Sequence, residues 1–259
     1  MIVGSLLTYF AIVAFVLLSI WVGAKLGKYS QRYKKNGKKP SVGSIVGAML
    51  ALLAFTLALT LSMVSSRYAD RKALVLEEAN ALGTAILRTD FLEEPLRTES
   101  RNLLIDYVDS RAELAVDEKG DKLPQLIAES EAIQDELWSL ATQASTQAKQ
   151  TEVFALYIRS LNEVIDLHSE RYSKGLQYRL PKTIWFLTYF VTALAMLAVG
   201  YEFGISNSGS FLGALFLALM FSATVFIISD LDKPATKGLI PINQQPILDL
   251  QQQLKSSSK

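Results

Sequence analysis

Apolar positions along the chain fall into four uninterrupted runs, at about 3–22, 42–64, 183–203 and 211–229. Each approaches the roughly 20 residues that an α-helix needs to cross a hydrocarbon core of about 30 Å. The only charged residue in any of them is Glu202, at the far end of the third. Backbone groups in lipid must satisfy one another, so runs of this length predict helices. The first run has no basic stretch ahead of it and no small-residue cleavage site after it, and it reads as a retained span. The pattern therefore predicts an all-α protein with four transmembrane helices, in segments 1–64, 65–182, 183–230 and 231–259.

Segment 65–182 carries the polar sequence and is expected as a helical bundle inserted between spans two and three. Ser65 to Leu92 meets no breaker before Gly83, so a helix should continue out of the second span. Pro95 suits the first turn of a new helix that runs to about Val116. A polar turn over 117–121 follows, and Pro124 opens a third helix that reaches about Gln150. In the fourth, Phe154, Ile158, Leu161, Ile165, His168 and Tyr172 are spaced 4, 3, 4, 3, 4, the narrow seam of an antiparallel bundle. Short turns between four such helices imply an up-down arrangement. A tail over 231–259 leaves the last span and is expected to strap onto the helical domain, with solvated sequence beyond Leu254.

Charge decides orientation. Residues 24–41 form the loop between the first two spans and hold seven basic residues and no acidic one. Basic loops of this kind stay in the cytoplasm. That reading puts 65–182 in the periplasm of a bacterial cell, across the inner membrane. The 65–182 segment itself has 15 basic and 21 acidic residues, a net of −6. Long domains cross largely regardless of charge, so its flanking arginines and lysines count for less.

Composition removes most chemistry. Half of the 259 residues are hydrophobic and the mean hydropathy is +0.25, which fits a membrane protein. A formal net charge of +1 gives no electrostatic basis for binding nucleic acid. There is no cysteine and one histidine, His168, so no metal site or cofactor is expected. No nucleophile elbow, phosphate-binding loop or dinucleotide fingerprint occurs, and no catalytic residue is assigned. Neighbouring acids such as Glu77 and Glu78 point about 100° apart on a helix and do not form a catalytic pair. His168 reads first as a seam histidine bonded to a neighbouring helix, and otherwise as a pH sensor. Small residues four apart (Gly43 and Gly47, Gly200 and Gly204, Gly209 and Gly213) would let helices approach closely.

Three stretches resemble the bestrophin-like domain family of bacterial membrane proteins. The first contains Glu78, Asn80 and Gly83 and is followed by the 104–111 segment. The second contains Asn162, Glu163 and Asp166, then Arg171 and the Arg179-Leu180-Pro181 entry to the third span. The third lies after the fourth span and contains Asp230, Asp232 and Pro234. The resemblance implies an integral membrane protein related to the bestrophins, which are oligomeric anion channels. Bestrophins carry their large helical region in the cytosol, opposite to the orientation that the basic loop implies here. The expected partners are the lipid bilayer, further copies of the chain, and chloride or another small anion. Thr56 and Thr60, one turn apart on the second span, are the residues that would line a mildly polar pore; hydroxyls bonded within their own helix are the alternative. The competing function is a non-catalytic envelope sensor or scaffold with an extracytoplasmic bundle.

Overall fold

A computed structural model describes residues 2–33, 42–117, 121–147, 152–206, 211–234 and 238–257. Among them there is no strand. The described residues form eight α-helices in succession: α1 (Ile2–Tyr33), α2 (Gly43–Thr89), α3 (Leu96–Val116), α4 (Leu123–Gln147), α5 (Glu152–Tyr172), α6 (Lys182–Ser206), α7 (Phe211–Leu231) and α8 (Gln245–Ser257). A π-helical turn, Ser173–Gln177, closes α5. Four helical stretches are long and apolar enough to cross a membrane: α1, α2, the stretch containing α6, and α7. Only 22–33% of each apolar window is buried within the chain, so most of that surface is left for lipid or for other copies.

The chain divides into two units. The first holds residues 1–67 and 179–233 with 238–240. Within it α1 packs along α6 and also against α7. Its apolar interior includes Val16, Leu53, Met196, Ala218 and Ile228. The α1–α6 seam has a specific cause. A β-carbon added at Gly23 or Gly27 would fall on the carbonyl oxygens of Leu197 or Tyr201. One added at Gly200 or Gly204 would fall on those of Ile20 or Ala24. Two glycine pairs, each four residues apart, thus bring the two backbones into direct contact, the arrangement by which helices associate without a hydrophobic driving force. Gly200 and Gly204 are where spacing placed them. A β-carbon at Gly47 would meet nothing within 4 Å among the described residues, and Gly209 lies outside them.

Gly27 also corrects a boundary. The loop expected over 24–41 is helical as far as Tyr33. Gly27 is held in the helix by its seat on α6, and Lys25 lies over the Trp21 ring at 5.4 Å, its stem along the helix. The remaining basic residues of that segment, from Lys34 onward, lie outside the described residues.

The second unit holds residues 68–178, 234–237 and 241–259. Its core draws Leu82 from α2, Leu104 and Tyr107 from α3, Leu137 from α4, Leu161 from α5 and Ile247 from α8. The start of α3 is set locally: Glu94 Oε2 accepts from Thr98 Oγ1 at 2.8 Å and from its backbone N–H at 3.2 Å, which satisfies a donor that a helix start leaves unpaired. The buried face of α5 is broader than the expected seam. Tyr157 and Val164 are fully buried, whereas Ile158 and Ile165 lie at the margin and Tyr172 is exposed. The core contacts α5 over a wide stripe, as in a globular bundle, and the narrow seam was the wrong template. The tail reaches this unit as anticipated: α8 packs on α3, Gln251 donates to Asp109 at 2.5 Å, and Tyr68 donates to Pro241 O at 3.3 Å. It stays helical through Ser257, past the Leu254 expected as its limit, with Lys255 pairing with Asp109 at 3.6 Å.

Candidate functional site

Three groups of residues could carry function, and each is built from helical register. The first is one face of α2. Ala48, Ala51, Phe55, Ala58 and Ser62 recur every three or four residues and are all exposed. In the second unit the same register continues through Ala69, Ala73, Leu76, Asn80, Thr84 and Leu87, again all exposed. No charge interrupts this register from Ser44 to Leu87, although Lys72 and Glu77 stand beside it. A polar-facing helix would ordinarily turn charge outward, so an uncharged exposed stripe of mostly small residues needs a partner or a path beside it. Thr56 is half-buried beside the stripe and Thr60 is buried, and each hydroxyl donates to its own helix, Thr56 to Leu52 O and Thr60 to Thr56 O, both at 2.8 Å.

The second group is a buried polar cluster in the second unit. Glu78 on α2 is wholly inaccessible. Arg111 on α3 approaches it with Nε 3.0 Å from Oε1, and Arg171 on α5 donates from Nη1 to Oε2. Arg171 Nη2 also donates to Gln244 Oε1 at 2.9 Å, which ties in the tail. The Tyr107 hydroxyl is the hub. It accepts from Gln134 Nε2 at 3.1 Å and lies 3.0 Å from His168 Nδ1 and 3.4 Å from Glu78 Oε1. Burial raises the pKa of Tyr107 and lowers those of Arg111 and Arg171, the last to about 10. Burial, with the Arg111 guanidinium beside it, lowers His168 to about 4, so its ring is neutral near pH 7. With one carboxylate against two guanidiniums, the three ions carry a net charge of +1. Burying such groups is costly unless each is paired, and here every one meets Glu78.

Sequence reasoning named Glu78, Arg171 and His168 but did not bring them together, and it missed Tyr107 and Gln134. A usable signal existed: Tyr107 and Arg111 are four apart on α3 and His168 and Arg171 three apart on α5, so each pair shares a helix face. Asn80, Asn162, Glu163 and Asp166 are all exposed and outside the cluster. Gly83 faces Leu250 of α8, with room for a β-carbon at 3.7 Å. Among the described residues no group of metal-binding side chains occurs.

The third group lies after the last span, in the first unit. Asp230 is buried and accepts from Lys233 Nζ at 3.0 Å, Leu239 N at 2.7 Å and Ile240 N at 3.2 Å. Lys233 reaches on to Ser5 Oγ at 3.2 Å. Asp232 accepts from Leu180 N at 2.9 Å and Trp185 Nε1 at 3.2 Å, and its carbonyl accepts from Arg179. Pro234 is half-buried. Both carboxylates are spent on fixing local chain, which joins the end of α7 to the entry of α6 and the start of α1.

A sequence model of the Bestrophin-like domain matches residues 10–242. The fold is similar to that of a point variant of a bacterial bestrophin homolog from Klebsiella pneumoniae, at 15% identity and a TM-score of 0.68, over 95% of this chain and 98% of that one. It is also similar to a structure described as a membrane protein, at 15% identity and a TM-score of 0.67, over 96% of this chain and 97% of that one. No curated protein sequence matches the chain. The chain belongs to the Bestrophin-like domain family.

Proposed function

We propose that this member of the Bestrophin-like domain family is an oligomeric ion channel of the bacterial inner membrane, with the exposed face of α2 lining the path. The observation that carries the reading is the uncharged stripe from Ala48 to Ser62. Its small side chains leave room around a shared axis, and Phe55, 61% exposed, is the one bulky group able to narrow it. Chloride or another small anion is the expected permeant class, on family grounds, since the stripe offers no fixed charge to select by. Thr56 borders this face, whereas Thr60 turns inward, so its substitution should disturb packing before it disturbs flux. The bundle over 65–182 would stand on the periplasmic side and the basic 24–41 segment in the cytoplasm. Cysteines introduced by Asn36→Cys and Lys119→Cys test this with an impermeant reagent on intact cells. Labelling of the first site alone would reverse the orientation.

Flux from proteoliposomes, with chloride and potassium gradients measured separately, tests the function. Ala58→Trp should reduce protein-dependent chloride flux by about tenfold or more if it blocks a path that binding and passage both require. Well-inserted wild-type protein that passes neither ion would end the channel reading and leave the envelope sensor or scaffold as the alternative to pursue.

A further inference from the structure

The buried cluster contains one group whose hydrogen-bonding state is a matter of choice. Tyr107 accepts from Gln134 and has a single proton to give. It can give that proton to His168 Nδ1, 3.0 Å away, or to Glu78 Oε1, 3.4 Å away, but not to both. While His168 is neutral with Nδ1 bare, the shorter contact wins. Nε2 then carries the ring proton. Among the described residues that atom is buried with no hydrogen-bond partner, and Glu131 Oε1 lies 3.9 Å away on a mostly exposed side chain.

Protonation reverses the direction. An imidazolium donates from both nitrogens, so Nδ1–H must donate to Tyr107, and the hydroxyl proton must turn to Glu78. We propose that His168 is a proton-operated latch: protonation turns Tyr107 onto Glu78 Oε1, where it competes with Arg111, loosens the carboxylate shared by Arg111 and Arg171, and releases the tail segment that Arg171 secures through Gln244. The charged and titratable groups around the ring are Tyr107 and Arg111 from α3, Glu131 from α4, Glu78 from α2 behind Tyr107, and Arg171 one turn along α5. Only Glu131 favours the imidazolium directly, and it is solvated. The cluster already holds an excess positive charge, so a second one is accommodated by opening the cluster to water, and the tail's seat on Arg171 is lost in that opening. The pKa of His168 is lowered chiefly by burial and secondly by Arg111, the direction expected where a second charge is resisted.

The test uses the full chain in nanodiscs. The protein has no cysteine, so Gln252→Cys on the exposed side of α8 gives a unique spin-label site. Label mobility is followed by electron paramagnetic resonance from pH 7.5 to 4.5. The latch predicts a mobile fraction that rises on the order of tenfold over that range, the change that one pH unit of differential proton affinity produces. His168→Gln and His168→Phe, which cannot take up the proton, should both flatten the profile. Asp109→Asn separates the direct contacts between α8 and α3 from the latch: it should raise mobility at every pH and leave the slope. A tail equally immobile at both extremes overturns the proposal, and so does an unchanged pH rise in the His168 variants. Neither result bears on whether α2 lines a channel.

Discussion

The seam between α1 and α6 and the core around Glu78 hold helices together by opposite means. The first is made by leaving side chains out: four glycines let carbonyls of one helix sit where β-carbons of the other would be. The second is made by putting charge in, with Glu78 and Arg111 buried among apolar residues and Arg171 half-buried beside them. Lipid explains the difference. Between helices already in hydrocarbon, apolar side chains gain nothing by association, so close backbone approach supplies the attraction. In the second unit, burial of its shared apolar core can carry the cost of a buried ionic cluster.

The largest effect should come from breaking the glycine seam. Gly200→Val places a branched side chain on the backbone of Ile20, and no rotamer change can relieve a clash with a carbonyl. Overpacking typically costs about 1–3 kcal/mol where side chains can shift, and more is expected against backbone. The expected outcome is loss of folded protein after detergent extraction, measured by size-exclusion chromatography and thermal melting. Gly47→Ala is the comparison, since its β-carbon would meet nothing within 4 Å among the described residues. A melting temperature for Gly200→Val equal to that of Gly47→Ala would show that the close approach is not what holds α1 to α6.

Glu78→Ala comes next. It strands the buried Arg111 and takes the carboxylate from the half-buried Arg171, and removing one partner of a buried pair costs roughly 3–5 kcal/mol. Denaturant unfolding of the helical unit, followed by far-ultraviolet circular dichroism, should show the midpoint fall accordingly. Arg171→Met should cost less, because Arg111 still pairs with Glu78 and the net charge of the three positions falls to zero. If Arg171→Met proves the more damaging, the excess positive charge is not the burden described here, and the latch loses its driving force as well.

These two regions were unequally legible in the sequence. The four spans announced themselves through length and hydropathy, properties that one helix displays alone. Gly200 and Gly204 were visible as a pair, but Gly27 sat within the basic 24–41 segment expected to be a loop, and Gly23 just ahead of it. Charge density overrode spacing there, although lysine stems can run along a helix that has reached the interface. The ionic cluster was harder. Glu78 stands 33 residues from Arg111 and 93 from Arg171. Register places each on a face, but only tertiary packing says which faces converge. The seam of α5 shows the limit from the other side: Phe154, Leu161 and His168 were placed correctly, while Tyr157 and Val164 were missed because a two-position repeat cannot describe a helix packed on several neighbours.

The smallest expected effect is the most instructive about what each unit was built for. Asn162, Glu163 and Asp166 belong to the stretches that carry the family resemblance, yet all three are exposed. Exposed substitutions away from caps and networks usually change stability by about 0.5 kcal/mol or less. Glu163→Ala and Asp166→Ala should therefore leave the unfolding midpoint of the helical unit where it is, while Glu78→Ala, in the same resemblance, lowers it severely. A shared motif then divides into residues that build the chain and residues that await something outside it. Sedimentation velocity of the detergent-solubilised variants distinguishes the two: a smaller particle at unchanged fold stability would place the α5 face in contact with a second copy. A large loss of stability from either exposed acid would instead mean that α5 supports its own unit through its outer face, and the contrast between a buried ionic core and a free surface would fail at that helix.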